Sequence, residues 1–118
     1  MFGDPQTVTV NSVAQSLARI KSEGLSSLYQ SSDGNYMLLL SHENTKSGRV
    51  RTLAKFTQRM VVTDPITSEQ DYDTTTVQIT IDRPVVGWTA VTLGYLITGI
   101  TAWINSGGNV LKLYGQES

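Results

Sequence analysis

The spacing of apolar residues along this chain changes once. Up to Ile81 they tend to recur at every second position, and beyond Pro84 they recur at three and four. Residues 7–10 (TVTV) alternate with β-branched side chains and predict a strand. Residues 13–20 admit two readings. Val13, Leu17 and Ile20 sit at helical spacing, and the same stretch fits as the return strand of a hairpin turned at Asn11-Ser12. Residues 25–32 form a weaker strand pattern closed by the turn residues Asp33-Gly34-Asn35. Residues 36–42 (YMLLLSH) predict a strong strand, residues 43–48 a loop in which Gly48 is suited to positive φ, and residues 49–62 a long strand. A Pro-containing loop over 63–73 leads to TTTVQITI, where Val77, Ile79 and Ile81 share one face and Thr76, Gln78 and Thr80 the other.

Past that point a helix is predicted over 84–106, with Pro84 in its first turn and Asp82 near its N-terminus. Val86, Leu93, Ile97, Ile100 and Ile104 make one apolar stripe, and Trp88, Val91, Tyr95 and Ala102 make another. A helix apolar nearly all round is buried nearly all round. Ser106-Gly107-Gly108 ends it, and residues 107–118 read as a short strand or tail. Strands followed by a helix define an α+β arrangement with an antiparallel sheet. One helix of about twenty residues covers little of a five- or six-stranded sheet. Both apolar surfaces are covered if two chains dimerise and each helix lies on its partner's sheet.

Composition narrows the class. The 118 residues suffice for one domain, and 39% hydrophobic with 16% charged residues is the balance of a folded protein. Formal net charge is -1, so no global field draws a polyanion. Five of the nine cations (Lys46, Arg49, Arg51, Lys55, Arg59) nevertheless lie within fourteen acid-free residues, and five of the ten acids (Asp64, Glu69, Asp71, Asp73, Asp82) follow downstream. The chain has no cysteine, which removes thiol catalysis, disulfides and zinc-thiolate sites. The N-terminal residues lack the pattern of a signal peptide. Residues 84–105 are uncharged and long enough for a membrane span, but their threonines and glycines and the sparse basic flanks disfavour it.

No catalytic constellation is present. The single histidine, His42, has no nucleophile elbow to serve, and there is no Gly-rich phosphate loop. No metal site or cofactor is expected. The acidic loop matches no known ligand spacing and reads as solvated. The basic strand carries the signal. Arg49, Arg51, Lys55, Thr57 and Arg59 share a face with Leu53, while Val50, Thr52, Ala54, Phe56 and Met60 share the other. With Thr76 and Gln78 beside it, the first face reads as a polar-basic surface without acids, as phosphate binding requires. A solvated face whose charges block edge aggregation fits the same pattern. On the residues alone the strand stays split between a nucleic-acid-binding surface, as in a small dimeric β-sheet protein, and a solvated face. A C-terminally membrane-anchored protein is a further, less favoured reading.

The order of short hairpin, the LYQSSDGNYMLLLSHENTKSGRVRTLAKFTQRMVV hairpin, Pro-containing loop, TTVQITI strand and C-terminal helix resembles the coat proteins of single-stranded RNA bacteriophages of levivirus type. TVTVNSVAQSLARI and NVLKLYGQ are most similar to the branch with a compact N-terminal hairpin and a β-like C-terminus. The resemblance spans the whole chain and resolves residues 13–20 as strand. It implies one domain over 1–118: an N-terminal hairpin (1–22), a five-stranded antiparallel sheet (24–82) with the acidic inter-strand loop 63–73, and C-terminal helices that interlock with a partner subunit. It implies a non-enzymatic major coat protein found in the virion and assembled in the bacterial host cytoplasm. Its expected partners are a second copy, further copies in an icosahedral shell, a genomic RNA hairpin and a maturation protein, with no membrane. By position, the RNA-facing residues are Arg49, Arg51, Lys55, Thr57 and Arg59, then Thr74, Thr76 and Gln78, with Tyr72 as a base-stacking aromatic. The dimer interface falls on Trp88, Val91, Leu93, Tyr95, Leu96, Ile97, Ile100 and Trp103.

Overall fold

A computed structural model describes residues 2–117 as two compact units, one ending at Arg83 and the other beginning at Pro84. The first unit is a six-stranded antiparallel meander in chain order: β1 (Gln6–Val10), β2 (Val13–Glu23), β3 (Ser26–Ser31), β4 (Tyr36–Asn44), β5 (Arg49–Thr63) and β6 (Gln70–Pro84). Residues 13–20 are strand, as the hairpin reading requires. The hairpin is continuous with the sheet, since β2 pairs with β3 from Leu17↔Ser31 to Glu23↔Ser26, so the sheet has six strands where five and a separate hairpin are expected. β2 bulges between Arg19 and Lys21, which turns Ile20 outward at 54% exposure.

Turn chemistry fixes the register. Gly34 (φ 76°) and Gly48 (φ 77°) occupy the left-handed region at the β3–β4 and β4–β5 turns. Asp33 Oδ1 accepts from Ser31 Oγ (2.6 Å) and from the Asn35 amide (3.0 Å), and Ser31 Oγ accepts from the Tyr36 amide (3.1 Å). Around Gly48, the Thr45 amide donates to the Arg49 carbonyl at 2.9 Å. The resulting pairs are Leu38↔Phe56, Leu39↔Lys55 and Leu40↔Ala54. Leu38 and Leu40 therefore lie on the apolar face, and Leu39 lies among the cations.

The acidic loop is shorter than 63–73. Asp64 Oδ1 accepts from the Ile66 amide (2.8 Å), and the Asp64 amide donates to the Glu69 carbonyl (2.8 Å), closing the turn. Strand pairing resumes at Gln70, so Asp71 and Asp73 belong to β6.

The second unit holds α1 (Ala90–Ile104) and α2 (Asn109–Tyr114). α1 starts six residues later than the predicted helix, and Pro84 is the last residue of β6. Thr89 and Thr92 form a reciprocal capping box that sets the start, after Gly87 at φ 97°. The C-terminal strand or tail is instead a helix. Two left-handed glycines, Gly107 and Gly108, end the chain's passage out of α1, and the Asn109 side chain donates to the Trp103 carbonyl at 2.6 Å. Among the described residues no helix is long and apolar enough to cross a membrane.

The hydrophobic core within the chain is small. Among the described residues, Leu17 and Tyr29 are the only buried hydrophobic side chains. No residue of α1 or α2 is buried.

Candidate nucleic-acid interface

Strand alternation and the β4–β5 register divide the sheet into two faces. One carries Tyr36, Leu38, Leu40 and His42 opposite Gln58, Phe56, Ala54 and Thr52. Tyr36 and Phe56 stack at 5.9 Å between centroids, Gln58 Nε2 donates to the Tyr36 hydroxyl at 3.3 Å, and His42 Nδ1 lies 3.0 Å from Thr52 Oγ1. His42 thus has a cross-strand partner. On β6 this parity brings Val77, Ile79 and Ile81, and the first two are 65% and 43% exposed.

The other face carries the cations. On it Arg51, Lys55 and Thr57 lie opposite Glu43, Leu39 and Met37. Side-chain contacts tie β6 to the same face. Arg49 Nε donates to Asp82 Oδ1 at 2.8 Å, Thr57 Oγ1 lies 3.4 Å from Thr76 Oγ1, and the Arg59 guanidinium sits 4.2 Å over the Tyr72 ring. Alternation along β6 then places Thr74 and Gln78 with Tyr72, Thr76 and Asp82. All nine residues expected to face RNA occupy one side of two neighbouring strands.

Arg59 is the most constrained of them. Its amide donates to the Asn35 carbonyl at 2.7 Å, and its Nε is buried without a hydrogen-bond partner. Its terminal nitrogen lies 3.5 Å from where a Cβ on Gly34 would stand, so the β3–β4 turn borders this end of the face. Tyr72 is 58% exposed, with Arg59 on its ring. That geometry leaves an aromatic surface beside a cation, which suits stacking of an unpaired base.

The acid-free surface predicted from the strand alone is incorrect. Asp82 accepts Arg49 and lies 3.8 Å from Arg51 through Oδ2. Glu43 is opposite Arg51, and Glu23 pairs with Lys21 at 3.6 Å. Cross-strand neighbours come from distant sequence, Asp82 being 33 positions from Arg49, so a count along one strand misses them. Among the described residues there is no cluster of His and acidic side chains able to hold a metal ion.

The residues assigned to a dimer interface are exposed or half-exposed in the single chain. Val91 is 63% exposed, Tyr95 71%, Leu96 57%, Ile100 50% and Trp103 52%. Leu93 and Ile97 are intermediate, and Trp88, at 46%, precedes the α1 cap.

A sheet of this order followed by two helices is shared with phage coat proteins of known structure. The fold matches the virus-like particle of bacteriophage AVE019 with a TM-score of 0.82 at 13% identity, over 96% of this chain and 94% of that one. It matches the coat protein of bacteriophage EMS014 with a TM-score of 0.73 at 19% identity, over 99% and 98%. For the capsid protein of bacteriophage GA the TM-score is 0.68 at 7% identity, over 98% and 95%. No curated protein matches the sequence. The profile of the phage phiCb5 coat protein family matches residues 3–84, and the chain belongs to that family. It is therefore a phage coat protein, and the proteins of this family are structural components of the capsid.

Proposed function

We propose that the chain forms obligate dimers that assemble into an icosahedral shell around genomic single-stranded RNA, with the Arg49–Arg59 face turned to the RNA. Binding an RNA hairpin through that face represses translation and marks the genome for packaging. The observation that carries this reading is the two-sided sheet. Cations, hydroxyls and one aromatic gather on one face, and the other is apolar. Counterion release from phosphates supplies the affinity, and splayed bases supply the contacts that distinguish one hairpin from another.

The dimer follows from what is left exposed. Two buried hydrophobic side chains among the described residues do little to offset the entropy of ordering more than one hundred residues. β6 is a 15-residue edge strand, exposed along most of its length, with Val77 and Ile79 uncovered. Pairing β6 with its copy removes the unpaired edge and extends both faces across the dimer. The exposed side chains of α1 supply apolar surface to the same association. The neighbouring virus-like particles support assembly beyond the dimer.

In filter binding with an RNA hairpin, Lys55→Ala is expected to weaken affinity several-fold while dimer elution is unchanged. Unchanged affinity would show that this face does not meet RNA.

A further inference from the structure

We propose that Asp82 divides the basic face into a neutral end and a cationic end, and that RNA phosphates are gripped at the cationic end by Lys55 and Arg59. The proposal rests on reading this face as RNA-binding and says which part of it works.

At the end nearest the β4–β5 turn, Asp82 Oδ1 accepts from Arg49 Nε at 2.8 Å, the Asp82 carbonyl accepts from the Arg49 guanidinium at 3.4 Å, and Oδ2 lies 3.8 Å from Arg51 Nε. Glu43 stands directly across from Arg51, close enough for the two side chains to interact. Two cations and two carboxylates sum to zero. A phosphate arriving there must displace a carboxylate before it gains a cation, so few counterions are released.

The other end differs. Among the described residues neither Lys55 nor Arg59 forms an ion pair. Lys55 faces Leu39, and Arg59 rests on the Tyr72 ring, which leaves both charges unneutralised. The two positions are about 13 Å apart along the strand. Between and beside them Thr57 and Thr76, with oxygens 3.4 Å apart, offer hydroxyls to phosphate or ribose. Tyr72 closes this end with a ring backed by Arg59 and otherwise open to a base. The contacts needed for a single-stranded segment are phosphate charge, sugar hydrogen bonds and one stacking surface, and all three occur at this end.

The test is the salt dependence of oligouridylate binding by the purified dimer. Lys55→Ala and Arg59→Ala are each expected to reduce the slope of log K against log salt by about 0.7, one phosphate contact on a single strand. Arg49→Ala should change it by less than half as much. Asp82→Asn should steepen the slope by releasing two arginines, while Asp82→Glu, which keeps the charge, should match the wild type. Equal losses for Arg49→Ala and Lys55→Ala, or an unchanged slope in a folded Asp82→Asn dimer, would overturn the division. If Asp82→Asn fails to dimerise, the alanine pair decides alone. A wild-type dimer that binds oligouridylate with no salt dependence would instead sink the RNA reading itself.

Discussion

Asp33 is exposed and at a turn, yet it organises the β3–β4 connection. The hydrogen bond from Ser31 Oγ, followed by that from the Asn35 amide, holds its carboxyl below the usual aspartate range. A carboxylate with a lowered folded pKa stabilises the fold above its unfolded pKa, about 3.9, and loses that contribution as pH falls through the folded value. Asp33→Ala should therefore lower the Tm at neutral pH, and the gap to the wild type should close as pH drops below about 4. A gap that persists at acid pH would assign the loss to chain stiffness instead. Asp64 repeats the arrangement at the β5–β6 turn, where the Ile66 and Thr67 amides lower its pKa. At this scale the sequence was only partly legible. Alternation grouped the five β5 residues, and separately Thr76 and Gln78, because it needs only neighbours two apart. Tyr72 and Thr74 came from the family resemblance, and the side-chain contacts between β5 and β6 bring the two sets to one face. Alternation could not find Asp82, because the Arg49–Asp82 contact spans 33 positions and exists only once β5 and β6 pair.

Elements were legible where their period was long and their ends were marked. β4 and β5 follow from alternation, and the register that alternation leaves open is set by the turn between them. There Gly48 has φ 77° with open space around its Cα. Crowding would not oppose a methyl group at that site, so Gly48→Ala isolates the backbone cost of the left-handed region, about 1–2 kcal/mol. The urea midpoint should fall with the m-value unchanged. No shift would mean that the turn adopts another geometry. The misread elements were those whose signals compete. Pro84 suits a helix start, but a strand can also end on proline, and the Thr89–Thr92 box places the true cap five residues on. α2 has six residues, too few to separate a helical period from a short apolar run at Val110, Leu111, Leu113 and Tyr114.

At the scale of the whole molecule, the single chain leaves many large apolar side chains exposed. A sheet with one apolar face, an uncovered 15-residue edge and a helix without a buried residue are three forms of the same deficit. The hydrophobic period shows the apolar sheet face and the apolar helix in the sequence, and the expectation of a dimer rests on those two. The open edge of β6 follows from the strand order and has no periodic signature. If folding and association are one reaction, stability depends on protein concentration. Without RNA, in dimers held below the concentration of shell assembly, each tenfold dilution should lower the free energy of unfolding per dimer by about 1.4 kcal/mol. The urea midpoint should move down accordingly. Loss of strand signal by circular dichroism should coincide with dissociation measured by fluorescence anisotropy of a labelled dimer. A midpoint independent of concentration, or a folded monomer persisting after anisotropy has fallen, would mean that the chain covers its apolar face by itself. The exposed Val77, Ile79 and α1 side chains would then belong to shell contacts between dimers and not to the dimer.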